Sequence, residues 1–331
     1  MKILFLHNDL RSFVKADLEI LQSEHDVRVI DFRNKKRYIQ EVIQGVEWCD
    51  IVFGWWATWH ILLPTILAKK QKKPVIIVGG DYDIIFRDKN KSIGRMIRDR
   101  LRKALGYYLF PRIDCFIVNS DFSKAQALKL SYINPNRVLR IYHGLPDISA
   151  NKPRIKTNQV LTVGTVSRYE LFRKGLATFV KSAGYLPEYC FKMVGPWKDD
   201  AVDLLKSWNH DNTIYTGFLS ENDLFQSMGE SKVYVQVSHH EGFGMALAEA
   251  MLFECVPVVT NLGAIPEVVG DCGIYVPYDD PQKTAEGIQE AYARSEELGP
   301  KARERVLTLF PIENRKKQIL RALDSEFLKK D

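Results

Sequence analysis

The chain has 331 residues, of which 46% are hydrophobic and 27% are charged, and its formal net charge is +6 at pH 7. This length and balance exclude a disordered chain and a small disulfide-stapled scaffold, and they favour a globular protein of about two domains. Its five cysteines contain no CxxC pair, which argues against a structural zinc site and favours a reducing cytoplasm.

Charge is unevenly distributed along the sequence. Residues 1–150 contain 25 Lys and Arg against 16 Asp and Glu, whereas the remaining residues contain 22 against 25. The basic first half favours an anionic partner or surface there. The first residues, MKILFLHNDLR, have too short an apolar run for a signal peptide, so we expect a cytoplasmic protein.

Short β-branched runs alternate with helical patterns through the first half of the chain. This alternation predicts right-handed βαβ units and a parallel sheet. The predicted strands are KILFLHN, DVRVIDF, DIVFGWW, PVIIVGG, DCFIVNS and VLRIYHG, and the first two predicted helices lie near Val14–Gln22 and Tyr38–Glu47.

One stretch in this half has the composition of a membrane span. Ile51–Ala68, IVFGWWATWHILLPTILA, contains no Asp, Glu, Lys or Arg and reaches the lower end of spanning length. Gly54, His60 and Pro64 interrupt it, and the chain has no second segment of this kind. We therefore predict a buried strand, a loop and the start of a helix.

A polar segment without periodicity, Ile148–Gln159, is typical of a linker. A second series of strands follows it: VLTVG, YCFKMVG, TIYTGF, VYVQVS, VPVVT and GIYVP. The predicted fold is α/β, with two doubly wound Rossmann-like domains that face each other across a cleft and bind ligands at the carboxyl ends of their strands. The predicted domains are residues 1–148 and 149–313, and a C-terminal helix at about residues 314–331 is expected to pack back towards the first domain.

The stretch HHEGFGMALAEAMLFE, from His239 to Glu254, joins a glycine pair to an apolar helix. Gly242 and Gly244 let the backbone approach a ligand, and a helix that begins near Gly244 offers its N-terminus to a phosphate. Glu249 lies in this apolar helix, where a buried carboxylate needs hydroxyl groups or a cation as a partner. If the helix stood alone, a buried ion pair would be the favoured explanation.

The two glutamates separated by seven residues, in the form EGFGMALAE, resemble the signature of glycosyltransferase family 4, whose members are retaining enzymes of the GT-B fold. Further segments are similar to the family's C-terminal domain: TVGTVSRYELFRKGL to its first strand and basic loop, FKMVG to its second strand, YTGFLSENDL to its base-binding loop, and GAIPEVVGDCGIYVP to its closing segment. In the N-terminal half the match is weaker: IYHGLPD resembles the strand before the linker, with His143 where asparagine is usual.

The resemblance implies roles for particular residues. Glu249 would accept hydrogen bonds from the ribose hydroxyls of a nucleotide sugar, while Gly217 and Phe218 would belong to the base-binding loop. Arg168 and Lys174 match two basic residues that stabilise the leaving nucleoside diphosphate without a metal ion or other cofactor. The remaining donor-lining residues would be Glu241, Gly242, Phe243, Gly244 and Met245, and the catalytic set would be Glu241, Arg168 and Lys174.

The sequence departs from the family on the acceptor side. Many members carry a histidine–glycine pair after the fourth strand, where this chain has VIIVGGDYD, with Gly79 and Gly80. Asp81 and Asp83 are therefore only hypothetical acceptor-side residues.

Residues 89–110 form a predicted helix with Ile93, Met96, Ile97, Leu101 and Leu105 on one side and Arg95, Arg98, Arg102 and Lys103 on the other. This helix is either a contact with an anionic membrane or an ordinary surface helix, and no nucleic-acid motif accompanies its charge.

These observations predict a cytoplasmic, retaining, metal-independent glycosyltransferase that moves a sugar from a nucleotide-sugar donor to a hydroxyl acceptor. The acceptor would be lipid-linked or a precursor of a polysaccharide or another glycan, and the enzyme could lie peripherally at the inner face of the membrane. The alternative is a nucleotide-sugar-binding scaffold subunit without transferase activity, which the Gly79 departure motivates. A dinucleotide oxidoreductase is disfavoured because no GxGxxG follows the first strand of either half.

Overall fold

The computed structural model describes residues 1–33, 37–80, 93–150, 155–208 and 210–324, except for the side chains of residues 93–98. The chain forms two compact units. The N-terminal unit comprises Met1–Gly144 together with the C-terminal segment that starts at Glu313, and the C-terminal unit comprises Leu145–Ile312. The chain thus passes from one unit to the other four residues before the predicted boundary at residue 148.

The N-terminal unit is built on a six-stranded sheet in the order β2-β1-β3-β4-β5-β6, and every strand pair in it is parallel. Its strands are β1 (Lys2–His7), β2 (Asp26–Asp31), β3 (Ile51–Trp55), β4 (Val75–Val78), β5 (Cys115–Val118) and β6 (Val138–Arg140). Its helices up to the crossing point are α1 (Ser12–Gln22), α2 (Tyr38–Trp48), α3 (Trp59–Lys70), α4 (Ile93–Leu109) and α5 (Asp121–Leu128).

The C-terminal unit repeats this plan with a second parallel sheet in the order β12-β11-β10-β7-β8-β9. Its strands are β7 (Thr157–Val163), β8 (Cys190–Val194), β9 (Thr213–Gly217), β10 (Ser231–Gln236), β11 (Val256–Val259) and β12 (Ile274–Tyr275). Its helices are α6 (Arg168–Arg173), α7 (Leu176–Ser182), α8 (Ala201–Ser207), α9 (Glu221–Glu230), α10 (Met245–Leu252), α11 (Ile265–Val269), α12 (Pro281–Ala293) and α13 (Ser295–Leu309). Short 3₁₀ turns lie at Phe110–Arg112, Pro135–Arg137 and Ala183–Tyr185.

The prediction of two doubly wound α/β domains is confirmed by these sheets. In each unit the strand order reverses beside the first strand, between β1 and β3 in one and between β7 and β10 in the other. Crossovers then leave the first strand in opposite directions, so the loops that follow the two flanking strands diverge at the carboxyl edge. This divergence opens a crevice in each sheet, and ligands of doubly wound folds bind in such crevices.

The last helix, α14 (Ile312–Leu323), is attached to the N-terminal unit by a buried arginine. The Arg315 guanidinium donates two hydrogen bonds to the Asp17 carboxylate, at 2.5 and 2.7 Å. It also donates to the carbonyl oxygens of Ile141 and Tyr142 at the end of β6. Because removing one partner would leave a buried charge uncompensated, this pair ties α14 firmly to α1.

The uncharged segment from Ile51 to Ala68 folds as predicted, into strand β3, a short loop and the first turns of α3. Strand β3 is buried along its whole length between its neighbours. Within the described ranges, no helix combines the length and the hydropathy that a membrane crossing requires.

Candidate functional site

The predicted donor residues from Glu241 to Met245 follow β10, beside the switch point between β7 and β10. The loop after β7 runs from Gly164 to the start of α6, and the loop after β10 runs from Val237 to Gly244. Because β7 and β10 are parallel neighbours, both loops leave from the same edge of the sheet.

Glycines let the ends of β7, β8 and β9 pack closely at this edge. Gly164 and Gly195 follow β7 and β8, and their backbones lie so close that a Cβ on Gly195 would meet the Gly164 carbonyl oxygen at 2.0 Å. Gly195 and Gly217 have positive φ angles of 146° and 70°, which glycine adopts far more readily than other residues. The result is a closely packed floor in which Gly164 and Gly195 are buried and carry no Cβ atoms.

A carboxylate and two cations lie above this floor. Glu241 Oε2 is 3.7 Å from an Arg173 guanidinium nitrogen and 3.8 Å from Lys174 Nζ, and it has no hydrogen-bond partner within the described part of the chain. The Lys174 side chain passes over Gly164, whose Cβ position is 3.0 Å from Lys174 Cδ. The cations are therefore held at the glycine floor, where they could face a phosphate.

The tight turn that follows Lys174 depends on Gly175. Its φ angle is 68°, and a Cβ at this position would lie 2.2 Å from the carbonyl oxygen of Val237. The chain can pass this close to the end of β10 only because Gly175 lacks a side chain. The turn brings the RK pair of Arg173 and Lys174 beside the loop that carries Glu241.

Arg173 was not among the sequence-predicted residues, yet it makes most of the contacts that organise this cluster. Its guanidinium donates to Glu170 Oε2 at 2.8 and 2.5 Å and to the His240 carbonyl oxygen at 2.9 Å. In return, the His239 amide donates to the Arg173 carbonyl oxygen at 2.8 Å. Arg173 therefore cross-links α6 to the loop before Glu241.

Arg168, which was predicted to act with Lys174, has a different partner. Its exposed guanidinium donates two hydrogen bonds to Asp200, at 2.7 and 2.6 Å, and its backbone amide donates to Asp199. Arg168 is thus engaged at the start of α8, while Arg173 and Lys174 contact Glu241. Its catalytic role stays a prediction.

The glycine loop before α10 is fixed by backbone contacts. Gly244 has a φ angle of 97° and precedes the first residue of the helix, Met245. The Glu241 carbonyl oxygen accepts a hydrogen bond from the Ala264 amide at 2.9 Å. Because the first amides of a helix have no acceptor within the helix, the start of α10 presents N–H groups to an anion. Phe243 is buried and packs edge-on against Phe310 at 5.2 Å, so its backbone and not its ring could line a ligand.

Glu249 lies on α10, and its carboxylate has no partner in the described part of the chain. No hydrogen bond or ion pair to it is found within residues 155–208 and 210–324 of this unit, so the buried ion pair considered from the sequence is not formed. Burial raises the pKa of Glu249 to about 7, and the nearby Glu221 carboxylate adds to this effect. An unpartnered carboxylate in a largely buried position is suited to accept hydrogen bonds from the hydroxyl groups of a ligand.

The predicted base-binding loop begins where β9 ends, at Gly217. Phe218 is 78% exposed, which is unusual for a phenylalanine and leaves its ring available for stacking. The Trp197 ring approaches Gly217, with its nearest atom 4.0 Å from the Cβ position. An aromatic surface therefore borders the glycine floor on the β9 side.

The acceptor-side candidates Asp81 and Asp83 lie outside the described residues.

In the basic segment, the predicted faces of α4 are partly wrong. Leu101 is 51% exposed, whereas the Arg102 side chain is only 16% exposed and pairs with Asp99 at 3.5 Å. The helix is therefore rotated relative to the predicted division, and Lys103, not Arg102, is the exposed cation of that turn. Among the described side chains, no group of three or more His, Cys, Asp or Glu has a geometry suited to a metal ion.

Comparison with known proteins finds similarity to glycosyltransferases. Residues 158–294 match the family described as glycosyl transferases group 1. An uncharacterized 41.2 kDa protein in the cps region of Klebsiella pneumoniae is 27% identical over 191 residues, which are 54% of this chain and 52% of that protein. The O-antigen chain mannosyltransferase B of Escherichia coli is 24% identical over 183 residues, 49% of this chain and 47% of that protein. The chain thus spans about half the length of these curated relatives.

Among solved structures, the Anabaena protein Alr3699/HepE in complex with UDP and glucose superposes with a TM-score of 0.77 at 17% sequence identity, covering 98% of this chain and 100% of that chain. At this identity the superposition bears on the fold alone. The family match and the mannosyltransferase relatives confirm the resemblance to glycosyltransferases, while the assignment to family 4 stays a prediction. The chain has a two-domain, Rossmann-like α/β fold of the GT-B type, and its residues 158–294 match the glycosyl transferases group 1 family.

Proposed function

We propose that this chain is a retaining glycosyltransferase that transfers a hexose from a nucleotide-sugar donor to a hydroxyl acceptor, without a metal ion. The observation that carries the proposal is the cluster of Glu241, Arg173 and Lys174 beside the glycine floor and the start of α10. This arrangement offers cations and helix amides to one anionic ligand. A nucleoside diphosphate has the matching charge and shape.

Each part of the donor then has a partner in the C-terminal unit. The diphosphate would face Lys174 and the amides of the first turn of α10, and the ribose hydroxyls would donate to Glu249. The base would stack near Phe218 after Gly217. These assignments use groups that the site leaves available: Glu249 has no other partner among the described residues, and Phe218 is mostly exposed.

The reaction breaks the bond between the anomeric carbon and the diphosphate oxygen and forms a bond from that carbon to the acceptor oxygen. The proton of the acceptor hydroxyl passes to an oxygen of the departing diphosphate and leaves with the nucleotide. Negative charge grows on the diphosphate as the first bond breaks. Fixed cations and helix amides that face this charge lower the barrier because they require no reorganisation during the step.

The acceptor is proposed to be a growing glycan or its lipid-linked precursor, bound by the N-terminal unit at the cytoplasmic side of a membrane. The support comes from the relatives, which include an O-antigen chain mannosyltransferase of Escherichia coli. Mannose is accordingly the first sugar to test. Contact with anionic lipid would involve the exposed cations and aromatic rings around the end of α4, among them Lys103, Tyr107 and Arg112.

The test is a thermal-shift panel of UDP-, GDP-, ADP- and dTDP-sugars with the full chain, followed by transfer assays with the sugar that binds. A ligand present at 100 times its Kd stabilises the native state by about 2.7 kcal/mol, which for a unit of this size raises Tm by about 5–10 °C. Binding followed by transfer supports the enzyme. Binding without transfer or donor hydrolysis would favour the scaffold alternative, and no shift with any donor would contradict both.

A further inference from the structure

The N-terminal unit has its own crevice at the switch point between β1 and β3, and aromatic side chains dominate it. The loop after β1 begins at Asn8, and the loop after β3 comprises residues 56–58. The side-chain amide nitrogen of Asn8 donates to the Thr58 hydroxyl oxygen at 3.4 Å, which links the two loops. In doubly wound folds, such a pair of loops is where ligands bind.

The backbone of the second loop is strained at a tryptophan. Trp56 has a φ angle of 64°, in the left-handed region that bulky residues avoid. Two hydrogen bonds hold it there, from its amide to the Val78 carbonyl oxygen at 2.7 Å and from the Thr58 amide to its own carbonyl oxygen at 2.9 Å. Strain of this kind persists where the surrounding structure imposes it and is concentrated at ligand-binding sites.

Trp59, the first residue of α3, completes the loop with an exposed indole. It is 52% exposed, and within the described residues no other ring packs against it. By contrast, Trp55 is buried and lies 6.1 Å from the parallel ring of His143, and Trp56 packs against Trp55 and Phe13. Thus Trp55 and Trp56 build the wall of the crevice, and Trp59 offers a free ring face at its rim.

We propose that this rim binds a saccharide unit of the acceptor, with the apolar C–H face of a pyranose ring on the indole of Trp59 and its hydroxyl groups hydrogen-bonded by Asn8 and Thr58. A pyranose combines an apolar face with a ring of hydroxyls, so it matches a flat aromatic surface beside an amide and a hydroxyl. His60 Nε2 donates to the Trp55 carbonyl oxygen at 2.9 Å, so His60 Nδ1 accepts from the Thr58 hydroxyl at 2.8 Å. The Thr58 oxygen, which already accepts from Asn8, keeps one lone pair for a ligand. The choice of a saccharide rests on the proposed function.

The experiment uses the full chain with ¹⁵N-labelled indoles, of which there are six, and titrates it with α-mannobiose, maltose and chitobiose in the absence of nucleotide. The Trp59 signal is identified as the one lost in Trp59→Phe. We expect at least one disaccharide to shift this signal. Trp59→Ala should weaken its binding by about tenfold, which corresponds to about 1.4 kcal/mol, and Trp59→Phe, which keeps a ring, should weaken it less. Tyr185→Ala removes an exposed ring of the C-terminal unit and should change nothing.

Two results would overturn the inference: no disaccharide shifts the Trp59 signal, or Trp59→Ala binds as tightly as the parent. If Trp59→Ala fails to fold, the disaccharide affinities of Asn8→Ala and Trp59→Phe are compared with that of the parent chain. Unchanged affinity in both variants would overturn the inference equally. Thermal shifts with nucleotide sugars on the same samples keep the two proposals separate. A parent chain that binds the disaccharide through Trp59 but no nucleotide sugar would contradict the proposed function and leave this site standing.

Discussion

Replacing Glu249 by glutamine should stabilise the protein at high pH and weaken donor binding at the same time. In the folded chain, burial and then the nearby Glu221 carboxylate raise the pKa of Glu249 to about 7, from an ordinary value of 4.5. The folded state therefore binds this proton more tightly than the unfolded state does. Stability falls as the pH rises from about 4.5, and the whole penalty is present above about pH 7.

The size of the penalty follows from the two pKa values. One pKa unit corresponds to 1.36 kcal/mol, so the difference between 4.5 and about 7 amounts to about 3 kcal/mol. An uncharged glutamine avoids it, so Glu249→Gln should gain up to about 3 kcal/mol at pH 8 and less than about 1 kcal/mol at pH 5. Urea unfolding of both proteins at the two pH values measures this difference.

Glu286→Gln is the matched control, because Glu286 also lies on a helix but its side chain is 48% exposed. Its effect should stay within about 0.5 kcal/mol at both pH values. Donor affinity should move in the opposite direction: losing a charged hydrogen-bond acceptor costs about 1.5–3 kcal/mol, or about tenfold and more in Kd. A gain in stability that is equal at pH 5 and pH 8, or donor affinity unchanged in calorimetry, would refute the reasoning.

Three further outcomes test the charged groups. Lys174→Ala should lower kcat by about 100-fold or more. Arg173→Ala should lower kcat more than Arg168→Ala does, because Arg168 is paired with Asp200 away from Glu241. Steady-state kinetics in which Arg168→Ala has the larger effect would contradict this order. EDTA should leave transfer activity unchanged, and activity that chelation abolishes and magnesium restores would show that a metal is required. Changing Lys103 and Arg112 to glutamine should weaken sedimentation with anionic vesicles at low salt by about 1 kcal/mol for each residue, whereas Arg102→Gln should not, since Arg102 is largely buried beside Asp99.

The strands and the loops that follow them could be predicted from the sequence because they depend on local patterns. Buried parallel strands appear as continuous β-branched runs, and the segment from Ile51 to Ala68 shows that these runs can be separated from a membrane span by Gly54 and Pro64. Gly244 could likewise be placed before a helix, and its φ angle of 97° is one that glycine adopts without the usual steric penalty.

Partner choice among charged side chains could not be predicted in the same way. Arg168 and Arg173 lie on one short helix, and nothing in RYELFRK distinguishes the arginine that contacts Glu241 from the one that pairs with Asp200. The difference arises from the tight turn at Gly175, which directs Arg173 to the end of β10, and from the start of α8, 32 residues after Arg168. Phe243 shows the same limit, because its ring packs against Phe310, a residue far along the chain.

Both sheets are parallel and reverse their strand order beside the first strand, so this shared feature alone cannot assign them different ligands. Their side chains can. At the β7–β10 edge, glycines leave no Cβ atoms at the strand ends, and Lys174 and Arg173 supply positive charge, which suits a diphosphate that dipoles and cations bind. At the β1–β3 edge, Trp56 and Trp59 contribute flat apolar rings. These uncharged rings suit the C–H face of a neutral sugar. Substitutions at the first edge should therefore act on donor affinity and kcat, and substitutions at the second on the KM for the acceptor, because the two proposals place the donor at the first edge and the acceptor at the second.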